Sequence, residues 1–201
     1  MPSMSTKEAS SSSSFSSTTP RWKYDVFLNF RGEDTRNTFI DHLYEALKNK
    51  GIITFRDEEK LETGKSVSLE LFKAIEDSMI AVVIFSKNYA SSIWCLDELG
   101  KIVEYMKEKG MTVLPVFYDV DPSDVRKQLG TFEKAFVAHE EPFRENMEKV
   151  ERWKAALTEV TNLKGWHLVN RYAEVSNAQQ ADQSNCRKVP RQESLVVGGC
   201  R

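Results

Sequence analysis

The stretch Tyr24-Asp25-Val26-Phe27-Leu28-Asn29-Phe30-Arg31-Gly32-Glu33-Asp34-Thr35 decides how this chain folds. A run of strand-forming residues stops at a charged, glycine-containing loop and then passes into helix-like sequence. That is the pattern of a strand, its exit loop and a crossover helix. The plan recurs further on. Ile80 to Phe85 is apolar throughout, as a strand covered on both faces should be, and Ser91-Ser92-Ile93-Trp94-Cys95-Leu96-Asp97-Glu98-Leu99 follows it. Both segments place charged groups beyond a strand's C-terminal end, where open α/β sheets bind ligands.

Outward from these two segments, strands and helices alternate. The first strand is expected over about 23–29 and the first helix over about 35–49. That helix carries Phe39, Ile40, Leu43, Ala46 and Leu47 on one stripe, with Gly51 as its stop. Ile52-Ile53-Thr54-Phe55 reads as a second strand, 56–65 as a charged loop, and 66–78 as a helix with Leu69, Phe72, Ile75 and Met79 at helical spacing. A helix begins near Trp94, and Thr112 to Tyr118 is a fourth strand. Asp121 is placed to cap a short helix opening on Pro122, with Asp124 three residues on. Phe132, Ala135 and Phe136 mark another helix, Val150, Trp153, Leu157 and Val160 a third, and Trp166-His167-Leu168-Val169 a last short strand. Such alternation predicts a parallel sheet with helices on both faces. Right-handed crossovers favour a flavodoxin-like three-layer α/β sandwich around a five-stranded sheet of order 2-1-3-4-5. The switch point then lies between the first and third strands, whose exit loops are 30–35 and 86–94.

Bulk properties narrow the class. The 201 residues are 40% apolar and carry a formal net charge of −2, enough to build one core and without a basic footprint for nucleic acid. No apolar run approaches the ~20 residues of a membrane span. Three cysteines, with no C-x-x-C spacing, argue against a disulfide framework or a zinc site. The first twenty residues hold 12 Ser or Thr and read as a disordered tail. A plastid transit peptide is the weaker alternative, given Glu8 and the lack of Arg before Arg21. The domain is expected over 21–172. From 173 to 201 no large apolar stripe continues, and a disordered or frayed tail is expected.

The candidate chemistry centres on Glu98. With Leu96, Leu99, Ile102, Val103 and Met106 on the core face of its helix, Asp97 points roughly 160° from the centre of that face and Glu98 about 100°. Asp97 is therefore expected in solvent and Glu98 at the edge of a cleft beside the sheet. A carboxylate in the first turn also meets a favourable helix dipole, so the pattern alone leaves open an acid that merely stabilises the helix. Trp94 lies one turn earlier and either lines the same site or closes the helix start. Arg31 is suited to bidentate phosphate binding, or to pairing with Glu33 or Asp34. Gly32 permits backbone conformations closed to other residues. His139 and His167 lack metal-ligand partners at useful spacing, and no metal is expected.

These two segments, with Leu61-Glu62-Thr63-Gly64, Phe117-Tyr118-Asp119-Val120-Asp121-Pro122-Ser123-Asp124-Val125-Arg126, Trp153-Lys154-Ala155-Ala156-Leu157 and Leu163-Lys164-Gly165-Trp166, resemble the TIR (Toll/interleukin-1 receptor) domain of plant disease-resistance proteins over about 22–172. The resemblance implies an NAD+-cleaving enzyme in innate immune signalling, with Glu98 catalytic and NAD+ as substrate rather than cofactor. It implies release of nicotinamide and leaves the nucleotide product open, a cyclic ADP-ribose-type product included. It implies that Phe30, Arg31, Gly32, Glu33, Thr35, Gly64 and Trp94 line the NAD+ site. Loop 56–65 would meet a neighbouring protomer, and the 41–42 pair would lie in a helix-to-helix contact between TIR domains, as homo-oligomer or with other TIR domains. A cytoplasmic location is implied, with the nucleus open. The chain departs from the family at Asn29 and at Asp41-His42, both usually Ser and Ser-His, at Thr63, often Arg, and in a degenerate final helix. With no P-loop motif present, a TIR-only or truncated form is expected.

Two readings follow: an NAD+ glycohydrolase activated by self-association, and a catalytically weak adaptor acting through TIR–TIR contacts alone. A phospho-receiver shares the strand order, but the first strand exits into Arg31 and Phe85 is followed by Ser86 where acidic residues are required.

Overall fold

The computed structural model describes residues 22–56 and 64–169, and for 64–68 the backbone alone. The Ser/Thr-rich tail, loop residues 57–63 with Thr63, and the segment from 170 onward lie outside the described residues.

Five parallel strands form one sheet in the order β2-β1-β3-β4-β5. They are β1 (Tyr24–Phe30), β2 (Thr54–Arg56), β3 (Ser78–Phe85), β4 (Thr112–Tyr118) and β5 (Trp166–Leu168). This is the order expected from the alternation. In register, Val26 pairs with Thr54 on one side of β1 and with Ile80 on the other, and Phe85 pairs with Phe117. The helices are α1 (Gly32–Thr35), α2 (Asp41–Asn49), α3 (Gly64–Glu76), α4 (Ile93–Lys109), α5 (Pro122–Lys127), α6 (Thr131–Glu140) and α7 (Met147–Thr161).

The first helix differs from its expected span. It starts at Gly32 and passes through a π-helical stretch, Arg36–Ile40, before α2. Such stretches occur often at functional sites. Gly51 ends it in the left-handed region, φ +74°, as a glycine stop requires. The expected cap at Asp121 forms, its carboxylate accepting from the Ser123 amide at 2.7 Å.

Side-chain alternation along β1 sets the layers. Val26, Leu28 and Phe30 face one core with Ile84, Val116, Ile40, Leu43 and Leu47, so α2 covers that side. Phe27 faces the larger core with Phe85, Phe117, Leu96, Leu99, Ile102, Leu157 and Val160, under α3, α4 and α7. Asn29, two residues after Phe27, points to this second side. A polar residue there lies on a covered face, beneath α4.

Candidate functional site

The exits of β1 and β3 meet the start of α4, as the switch point requires. Ser92 caps α4, its hydroxyl accepting from the Cys95 amide at 3.3 Å. Because α4 starts at Ile93, Glu98 stands in the second turn and not in the first as expected, and it is only 2% exposed. Its Oε2 accepts from Asn29 Nδ2 at 2.7 Å. The Asn29 Oδ1 in turn accepts from the hydroxyl of Tyr89, which lies 3.1 Å from the Cys95 carbonyl. Cys95 Sγ donates to the Phe30 carbonyl at 3.4 Å. Four contacts thus tie the end of β1 to the first turns of α4.

Two expectations about this helix are corrected. Glu98 does not line an open edge, because β1 places Asn29 under it. Asp97 is not left to solvent alone: α7 packs beside α4 over the same face of the sheet. Asp97 there accepts from Trp153 Nε1 at 2.9 Å and Lys149 Nζ at 3.0 Å, with its side chain a quarter exposed. A helical wheel drawn for one buried face misses a second neighbour. Trp94 is 49% exposed and stands at the surface one turn before Glu98.

The β1 exit loop is held by its own charges. Arg31 pairs with Glu33 and with Asp34, the latter at 2.7 Å, so its guanidinium is engaged as the local pattern allowed. Asp34 also reaches the β3 exit, accepting from Ser86 Oγ at 2.6 Å and the Asn88 amide at 3.0 Å. Burial works to raise the Asp34 carboxyl. Hydrogen bonds from Ser86 and Asn88 and the charge of Arg31 outweigh it and hold it below the usual aspartate value. Thr35 is buried, its hydroxyl bonded to the Arg31 carbonyl at 3.1 Å. Gly32 does not use the wider backbone freedom of glycine, its φ not being positive. Its bareness serves contact instead, since a Cβ would stand 3.0 Å from the Arg36 guanidinium, which lies over the Phe30 ring at 5.7 Å.

The structure therefore gathers Phe30, Arg31, Gly32, Glu33, Thr35, Trp94 and Glu98 around one strand end. Gly64 opens α3, and its surroundings are outside the described residues. Asp41 and His42 belong to α2, on the other side of the sheet. His42 is exposed, while Asp41 pairs with Arg56 at 2.6 Å and Arg56 stacks on Tyr44 at 4.3 Å. The charge that Asp41 adds to the expected contact face is thus met within the chain. A groove of about 570 Å³ between α4 and α7 is lined by Asp97, Lys149 and Trp153 but not by Glu98 or the β1 loop. Among the described residues no cluster of His, Cys, Asp or Glu has metal-binding geometry, and no helix is long and apolar enough to cross a membrane.

Tyr89 and Arg36 were not singled out from sequence, Asn29 was noted only as a departure from the family, and Asp34 only as a partner for Arg31. Asn29 carried a signal: a polar residue in phase with Phe27 on a strand side that should be covered. Tyr89 carried none, because its partner lies 60 residues away.

The fold and this site define a doubly wound α/β domain with a carboxylate at its switch point. A family model for the TIR domain matches residues 23–180, and the chain belongs to that family. It is 56% identical over 150 residues to TMV resistance protein N of Nicotiana glutinosa, covering 75% of this chain, and 52% identical over 184 residues to disease resistance protein RPV1 of Vitis rotundifolia, covering 89%. It spans 13% of the length of each. Among solved structures, the TIR domains of the activated Roq1 resistosome, which recognises the pathogen effector XopQ, are 53% identical. They superpose with a TM-score of 0.67 over 81% of this chain and 99% of theirs.

Proposed function

We propose that this chain is an NAD+ glycohydrolase that releases nicotinamide, acts through TIR–TIR self-association and signals in plant immunity from the cytoplasm. The observation that carries the reading is the Glu98 carboxylate, fixed by Asn29 at the β1–β3 switch point beside an exposed Trp94. Cleaving the bond between nicotinamide and ribose builds positive charge on the sugar, and a fixed anion next to that carbon stabilises it. The bonding pair leaves with nicotinamide, which needs no proton to depart. Water, or a nucleophile within the nucleotide, then forms the new bond to the sugar and loses its proton to solvent. Trp94 offers a flat apolar face for one of the two rings. The Arg31 pair with Glu33 and Asp34 shapes the loop that would border the phosphates.

Glu98 is almost wholly buried in the single chain, so substrate entry requires the mouth of the site to rearrange. That requirement suits activation on assembly, and the resistosome relationship of Roq1 TIR domains supports it. The adaptor reading keeps one observation in its favour: Arg31 pairs with Asp34, and Asn29 with Glu98, without a ligand.

Nicotinamide release by purified protein, measured from dilute to crowded conditions, separates the two. Specific activity is expected to rise with concentration and to fall by about 10²–10³ in Glu98→Gln. Release at no concentration favours the adaptor.

A further inference from the structure

We propose that Asn29, anchored by Tyr89, is a positioning residue for the Glu98 carboxylate. The proposal rests on the reading of Glu98 as the catalytic group. Asn29 and Tyr89 are both 0% exposed, and the carboxamide joins two partners from different parts of the chain. An ionised carboxylate only accepts, so Asn29 must turn Nδ2 toward Glu98, at 2.7 Å. That leaves Oδ1 facing Tyr89, whose hydroxyl must donate. Burial, then the nearby Cys95 and Glu98, push the Tyr89 hydroxyl well above its usual range, so it keeps its proton and its role as donor.

The chain of bonds therefore runs one way, from Tyr89 through Asn29 to Glu98. Its origin is well fixed. Tyr89 packs edge-on against Phe85 at 5.0 Å, and the backbone of Asn29 pairs with Val83 inside the sheet. A Glu side chain has three rotatable torsions, and the Asn29 amide selects one position of its terminal group. The selected oxygen, Oε2, is thereby held at the end of β1.

Asn29 does not reach the surface and so is not expected to touch substrate. Its loss should lower kcat while sparing KM, the mark of an interaction that matters only at the transition state. Asn29→Leu, of the same heavy-atom branching, is expected to reduce kcat for nicotinamide release about ten- to a hundredfold, with KM within about twofold. Tyr89→Phe should give a smaller loss of the same kind. The double variant should fall no lower than Asn29→Leu alone, because both act through one chain. Tyr89→Phe keeps the ring and covers the case in which Asn29→Leu fails to fold.

An independent readout is the Asn29 side-chain amide in a proton–nitrogen NMR spectrum. One Nδ2 proton should exchange slowly and move on Glu98→Ala. Wild-type kcat in Asn29→Leu or Tyr89→Phe, or losses that multiply independently, would overturn the proposal. If the wild-type chain releases no nicotinamide, the catalytic reading of Glu98 falls instead. The amide signal then decides the positioning, and an Asn29 amide unmoved by Glu98→Ala overturns it.

Discussion

Helix α4 turns two adjacent carboxylates into different seams. Asp97 enters the α4–α7 seam, where an ammonium and an indole N–H meet it and solvent still reaches it. Glu98 enters the α4–β1 seam, where a neutral carboxamide meets it out of contact with water. About 100° of helix rotation separates them. Asp97 is compensated by a cation, partly screened, and joins two helices. Glu98 accepts from a neutral donor in a buried seam. The same residue chemistry is structural in one seam and suited to catalysis in the other because its neighbours differ.

The sharpest way to break this contrast is Glu98→Gln, which keeps the shape and still accepts from Asn29. Nicotinamide release should drop by about 10²–10³, the usual effect of removing one electrostatic contact to the transition state. Wild-type turnover in that variant would reduce Glu98 to a structural acid like Asp97. Glu98→Ala is a harsher change. It strands the Asn29 amide in the core and should cost about 1–3 kcal/mol of stability, read as a lower urea midpoint than that of Glu98→Gln. Equal midpoints would mean the Asn29 bond contributes nothing to the fold.

Asp97→Ala should give the reverse profile. Turnover per folded molecule should hold near wild type, while stability falls by about 1 kcal/mol, since the lost ion pair is partly exposed. For a domain of this size that lowers the melting temperature by about 2–4 °C. A melting temperature equal to wild type would show that the α4–α7 latch is idle. On the α2 side, Arg56→Ala removes the partner of Asp41 and the cation over Tyr44, worth about 0.5–1 kcal/mol at such exposure. It also leaves Asp41 uncompensated, so self-association measured by sedimentation should weaken. Unchanged association would separate Asp41 from any contact face.

The smallest expected effect concerns pH. The folded pKa of Asp34 is depressed. Its contribution to stability is therefore complete above the unfolded value of about 3.9 and is lost as pH falls through the folded value beneath it. Asp34→Asn should be less stable than wild type at neutral pH, and the gap should narrow on acidification below about pH 4. A gap that is constant down to pH 2 would detach the β1–β3 loop bridge from this carboxylate.

Much of the site was legible before any coordinates. The charged exits after β1 and β3 and the first turn of α4 are local patterns, and the strand order follows from alternation and crossover handedness. The helical wheel placed the core face of α4 correctly at Leu96, Leu99 and Ile102 but misjudged both acids, because it assumed a single neighbour. The preference of Arg31 for its own loop was one of two open readings, and local spacing favoured it.

By itself the sequence determined the alternation of strands and helices, the sheet order, the family and the position of a carboxylate at the switch point. Each of these depends on periodicity, turn residues or short motifs, whose physics acts over a few residues. Only the tertiary structure decided that Asp97 is latched to Trp153, that Glu98 is buried on Asn29 and that Tyr89 anchors the pair. These contacts span 56, 69 and 60 residues of chain. They exist because packing α4 against both the sheet and the neighbouring α7 brings distant polar groups within bonding distance, and polar groups taken from water need partners.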